Sequence, residues 1–157
     1  FNAYILPHLD YCCIIWGNCT TSLEDRVIRF QKRAARLILD KDIDTPSSIM
    51  FSELKWMKFP DRVQYQKALL LYKTFNGLSP PYLKEMFTLT TSIHERTLRS
   101  SSQNLIYLPK PNSELYRKSF SYSAAAIWNE LPVYVKASSS VNLFKFQYLQ
   151  WFNNRTI

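Results

Sequence analysis

Four arginines are spaced to act together. Arg26, Arg29, Arg33 and Arg36 recur at steps of three, four and three, with Lys32 beside them, a spacing that puts their side chains on one face of a helix. Guanidinium groups one turn apart can follow the phosphates of a nucleic-acid duplex, and the lysine adds a point charge. The plainer alternative is a solvated face, or pairing with Asp25 and the acidic connector Asp40, Asp42 and Asp44 that follows. Arg96, Arg99, Lys110, Arg117 and Lys118 form a looser basic set interleaved with Tyr107 and Tyr116. Bases or sugars of single-stranded RNA can stack on such rings; equally, the rings can anchor an arm onto the core.

Other chemistry has weaker support. His8, Cys12, Cys13 and Cys19 invite zinc, since a His-x3-Cys step places two ligands one turn apart, but nothing C-terminal completes a usual ligand pair. Buried cysteines in an apolar helix are the better reading. Neither His8 nor His94 has a partner motif for a cysteine nucleophile. Asp40, Asp42 and Asp44 are the one acidic cluster, and they fall in a polar connector, where solvation is expected rather than metal binding. With only 2 glycines against 8 prolines, a phosphate-cradling glycine loop is nearly excluded. No catalytic residue, metal ligand or cofactor is expected within the sequence.

Helices must position these groups. Leu23, Val27, Phe30, Ala34 and Leu37 alternate steps of four and three, so Leu23–Leu39 reads as an amphipathic helix with one face toward a core. Before it, Pro7 opens a helix on which Leu9, Cys13 and Trp16 share a face and which Gly17-Asn18 stops. After it come a short helix from Thr45 or Ser47 through Leu54 and Trp56, and a strong one from Asp61 to Asn76. The latter is apolar nearly all round at Ala68–Tyr72, as a central buried helix would be. Pro80-Pro81 starts another short helix. Residues 88–112, rich in Ser and Thr and without helical period, read as a linker or extended arm between a helical region 1–87 and a C-terminal helical unit 113–157. In that last unit Phe120–Leu131 has helical spacing. Val141–Phe152 carries only Lys145 as a charge, so it must bury itself against the protein or a partner. The expected fold is mainly α.

A hydrophobic fraction of 46% argues for packed structure, and a net charge of +8 favours anionic partners, nucleic acid first. The 3 cysteines, two of them adjacent, make a poor disulfide framework, which favours a reducing, intracellular setting. No signal peptide or membrane-length apolar run is visible. The first residue is Phe and not Met, and the expectation is a piece of a longer protein.

Tyr4-Ile5-Leu6-Pro7-His8-Leu9-Asp10-Tyr11 with Trp16-Gly17, then Phe30-Gln31-Lys32-Arg33-Ala34-Ala35-Arg36-Leu37-Ile38, run in order into Tyr65-Gln66-Lys67-Ala68-Leu69-Leu70 and Asn76-Gly77-Leu78-Ser79-Pro80-Pro81-Tyr82-Leu83. Leu98-Arg99-Ser100, Leu108-Pro109-Lys110-Pro111, Phe120-Ser121-Tyr122-Ser123-Ala124 and Ile127-Trp128-Asn129-Glu130-Leu131-Pro132 continue the series. This ordered series resembles the region downstream of the palm in reverse transcriptases of non-LTR (LINE-type, jockey-like) retrotransposons. Ser123-Ala124-Ala125 stands where that family usually has Ser-Gly-Ala. The family's catalytic Asp-Asp pair is absent.

The resemblance implies a thumb and post-thumb fragment, inactive alone, from an RNA-directed DNA polymerase that would use Mg in its palm. Its implied partners are RNA and DNA, as an RNA–DNA hybrid, and the remainder of the reverse transcriptase, in cytoplasm and nucleus and without a membrane. A thumb grips the template–primer duplex without reading sequence, and the residues expected from their charge and spacing to bind nucleic acid are Arg26, Arg29, Lys32, Arg33, Arg36, Arg96, Arg99 and Lys110. The alternatives are a basic helical protein-interaction module that binds no nucleic acid, and a non-functional retroelement relic.

Overall fold

Residues with long apolar periods and few glycines fold into helices. The computed structural model describes residues 1–93 and 104–155. Among them it forms ten α-helices and no strand, so the chain is mainly α. They belong to two compact units, residues 1–66 and 67–157.

The first unit contains α1 (Leu6–Asp10), α2 (Cys13–Trp16), α3 (Thr21–Leu39), α4 (Ser47–Glu53) and the start of α5 (Phe59–Phe75). The single helix expected after Pro7 is broken in two. Tyr11 is extended and Cys12 takes the left-handed conformation at φ 50°. The Trp16 indole N–H donates to the Tyr11 carbonyl at 2.6 Å, satisfying a group the broken helix releases. The break buries Cys13 with Phe59 and Val63, while Ile14 and Val27 pack against them. A second cluster joins Ala35, Met50 and Phe51, with Leu39, Leu54 and Trp56 around it. Arg62 of α5 holds Asp10 with two hydrogen bonds, Nε to Oδ1 at 2.9 Å and Nη2 to Oδ2 at 2.6 Å. These bonds raise the Arg62 pKa above its ordinary value.

Gln31, in the middle of α3, is 2% exposed, and its amide explains why it is tolerated there. Its Oε1 accepts the Phe59 backbone N–H at 3.0 Å, and its Nε2 donates to the Met57 carbonyl at 3.3 Å. A helix start leaves its first N–H groups without partners, and Gln31 supplies one from outside the helix. Gln31→Ala is expected to destabilise the chain by about 1–3 kcal/mol, the cost of a buried donor left unsatisfied. Urea denaturation checks this; an unchanged midpoint would show that the Phe59 N–H has another acceptor.

The second unit takes α5 from Lys67 onward, then α6 (Pro81–Glu85), α7 (Glu114–Lys118), α8 (Phe120–Glu130), α9 (Val133–Lys136) and α10 (Val141–Arg155). Its core includes Leu71, Tyr72, Ala124, Trp128, Val135, Phe144 and Tyr148. The Tyr72 ring stacks on Phe144 at 4.5 Å, and its hydroxyl donates to the Ser138 carbonyl at 2.7 Å. The Lys136 ammonium lies 6.0 Å from the Trp128 ring centroid, and burial lowers its pKa.

The compact units divide inside α5 and not in the Ser/Thr-rich segment. That segment's described flanks are held within the second unit. Leu89 and Ile106 form an isolated antiparallel bridge. Asn129 accepts the Ile106 N–H and donates to its carbonyl, both at 2.8 Å, as a neighbouring strand would. The Trp128 indole donates to the Asn104 carbonyl at 3.0 Å.

Candidate nucleic-acid interface

The buried side of α3 coincides only in part with the one that the Leu23 spacing predicts: of that stripe, Val27 packs against the Cys13, Phe59 and Val63 cluster. Gln31 and Ala35 are buried, whereas Leu23, Phe30 and Leu37 are 47, 46 and 85% exposed. At about 100° per residue, the side of Gln31 and Ala35 lies roughly a third of a turn from the Leu23–Phe30–Leu37 stripe. Gln31 accounts for the rotation: drawn in to bond Met57 and Phe59, it brings Ala35 against Met50 and Phe51.

The arginines lie nearly opposite that buried side. Arg26, Arg29 and Arg33 are exposed; Lys32 and Arg36 are half-buried. The run from Arg26 to Arg33 covers roughly 10 Å of helix axis. Among the described residues none of these five cations is in a salt bridge. Arg29 Nε reaches only the Asp25 backbone carbonyl, at 3.3 Å, and not its carboxylate. Asp40 caps the end of α3 in the left-handed conformation at φ 49°, and in the connector beyond it Lys41 pairs with Glu53 at 3.8 Å. The Arg36 Nε is buried with no hydrogen-bond partner among the described residues. The row is thus a set of positive charges without acidic neutralisation, and such charges concentrate anions locally.

Two open hollows adjoin the row. One of about 290 Å³ is lined by Arg26, Arg29, Phe30 and Arg33. Another of about 550 Å³ is lined by Leu9, Trp16, Cys19, Leu23, Arg26, Val27 and Phe30. Leu23 and Phe30, expected in the core, instead border the arginines. The available signal was a second apolar arc on α3, Ile28, Ala35 and Leu39, interrupted by polar Gln31.

Five of the eight residues expected to bind nucleic acid are on α3. Arg96 and Arg99 lie outside the described residues. Lys110 is exposed and belongs to the second unit. There Arg117 is paired with Glu114 at 3.7 Å, and the Tyr116 ring packs on Tyr122 at 5.6 Å. Of the possible zinc ligands, Cys13 is core, Cys12 is exposed and Cys19 borders the larger hollow. Among the described residues no three His, Cys, Asp or Glu gather as a metal-holding group. No helix among them is long and apolar enough to cross a membrane.

Compared with protein-family models, curated proteins and solved structures, the chain matches none.

Proposed function

We propose that this chain is the non-catalytic thumb and post-thumb part of an RNA-directed DNA polymerase from a non-LTR retrotransposon, and that α3 grips the template–primer duplex. One observation carries the reading: Arg26, Arg29 and Arg33 stand exposed in a row, with no acidic partner among the described residues. Guanidinium forks at helical spacing bind phosphates without reading bases, as a grip that must travel along any template requires. The chemistry of the parent enzyme needs clustered carboxylates to hold two metal ions. This sequence has no Asp-Asp pair to hold such ions, and the role proposed for it is binding.

Titration of the intact chain with a short RNA–DNA hybrid across a salt series tests the proposal. Three arginine–phosphate contacts predict a slope of log K against log salt of roughly −2.7 or steeper, about 0.9 per contact on a duplex. DNA duplex of the same length should bind with a similar slope. Absence of binding at low salt, or a flat slope, would overturn it.

The rival reading as a protein-interaction module has one observation of its own. On α10, Phe144 and Tyr148 are buried, but Leu143, Phe146 and Leu149 are 37, 58 and 40% exposed at three-residue steps. Self-association through that face, with no nucleic-acid binding, would favour it.

A further inference from the structure

Phosphate binding gives no reason for the apolar half of the α3 surface. Leu23, Phe30 and Leu37 stand exposed at seven-residue steps, and the hollow beneath Leu23 and Phe30 is floored by Leu9, Trp16 and Val27. Seven residues is nearly two helical turns, so the three side chains form one stripe of roughly 20 Å along the axis. Arg26, Arg29 and Arg33 run beside it, within about a quarter-turn of the stripe or little more. We propose that this face docks an acidic amphipathic helix of another polypeptide, with its apolar side chains in the hollow and its carboxylates on the arginines.

The shape and lining select that occupant. A surface meant to enter a lipid interface presents protruding apolar groups, whereas the Leu23 and Phe30 end of this face borders a hollow of about 550 Å³. A nucleic-acid base needs hydrogen-bond partners for its edge, and the lining offers few. The Trp16 N–H is already donated to the Tyr11 carbonyl at 2.6 Å, which leaves the Arg26 guanidinium and the Cys19 thiol. An apolar side chain asks for no such partner. Helix-in-groove docking places the docked helix's anchors at i, i+3 or i+4, and i+7; the i and i+7 anchors are two turns apart, the spacing of Leu23, Phe30 and Leu37 on α3. The arginines, without acidic partners among the described residues, then fix orientation and select acidic over neutral helices. This goes beyond the nucleic-acid reading: the two ligands share the arginines and compete, and only the helix needs the leucines.

The probe is a fluorescent 18-residue synthetic helix with leucines at that repeat and glutamates along one flank. Its controls are a twin with glutamine for glutamate and a twin with alanine for leucine. With the intact chain, the glutamate–leucine peptide should bind saturably, at least about tenfold tighter than either twin, a difference of roughly 1.4 kcal/mol. Leu23→Ser should weaken it by about fivefold or more while RNA–DNA hybrid affinity stays within about twofold, because that residue lines the apolar hollow alone. Leu37→Ser, at a residue 85% exposed and therefore harmless to folding, gives an independent reading of the stripe. Equal binding of the three peptides, or indifference to both leucine substitutions, overturns the proposal. So does uptake of anionic vesicles, or self-association of the chain, that depends on the leucines while the peptide does not bind. Hybrid binding that fails while the peptide binds would sink only the nucleic-acid reading; the reverse would sink only this one.

Discussion

Replacing Arg29 and Arg33 together by alanine is expected to weaken binding of RNA–DNA hybrid and of DNA duplex alike. Each arginine–phosphate contact that releases a counterion contributes about 0.9 to the salt slope, so the double variant should lose about 1.8. At about 0.15 M salt the same relation gives a loss of roughly thirtyfold in affinity. Folding should be almost untouched, since both residues are exposed and alanine is the best helix former. Among the described residues the one hydrogen bond given up is the 3.3 Å contact from Arg29 Nε to the Asp25 carbonyl. The Arg29→Lys/Arg33→Lys variant separates charge from shape. An ammonium still neutralises a phosphate, so the slope should stay while some affinity is lost with the bidentate fork. Anisotropy titrations across a salt series read both quantities. If the alanine variant keeps affinity and slope, the row is a solvated surface and the proposed grip is wrong.

How far the sequence reveals this site depends on which physical signal each part leaves. The arginine spacing is legible because nothing competes with it: four cations at helical steps must share a face wherever the helix turns. The core face of α3 is ambiguous because the helix has two apolar arcs, and Leu23–Phe30–Leu37 is the more regular. The decision between them is made by Gln31, whose amide bonds Met57 and Phe59, 26 and 28 residues further along the chain. A polar residue buried for its hydrogen bonds looks in sequence like a surface residue. The break at Cys12 is equally hidden, since Leu9, Cys13 and Trp16 fit an unbroken helix. What ends it is the left-handed Cys12 and the indole bond to Tyr11, neither of which follows from apolar period. The Ser/Thr-rich segment suggests a boundary by composition. Its flanks are nevertheless held by Ile106, 2% exposed, and by the two bonds of Asn129, a single side chain supplying what composition cannot show. By contrast α5 is plain to read, because Ala68–Tyr72 leaves no polar face for water and burial is the only outcome.

Gly17→Ala is expected to be the most damaging small substitution in the first unit, at about 3 kcal/mol. The backbone itself would not object: Gly17 has φ −68° and ψ −7°, where alanine is comfortable. The cost is steric. A Cβ there would overlap the Cys13 carbonyl oxygen and lie 2.6 and 2.9 Å from the two methyl carbons of Val63. Val63 is 3% exposed and packed with Cys13 and Phe59, so its methyls have no free volume to move into. The Gly17 N–H also bonds that same Cys13 carbonyl at 2.8 Å, so relieving the overlap by lifting the chain breaks a backbone hydrogen bond. For a chain of this size the loss should appear as a fall of roughly 10 °C in thermal midpoint. A double-mutant cycle with Val63→Ala apportions it. Trimming the valine removes one of the two collisions, so the pair should cost less than the sum, with the carbonyl overlap remaining. Strict additivity, or an unchanged midpoint for Gly17→Ala alone, would contradict this close approach of α2 to α5. The same approach matters to the candidate site, because α2 carries Trp16, stacked on Phe59 at 4.9 Å, into the wall of the larger hollow. A substitution at Gly17 should therefore weaken helix-peptide binding through Trp16 while the arginine row on α3 keeps its charge and its salt-dependent grip.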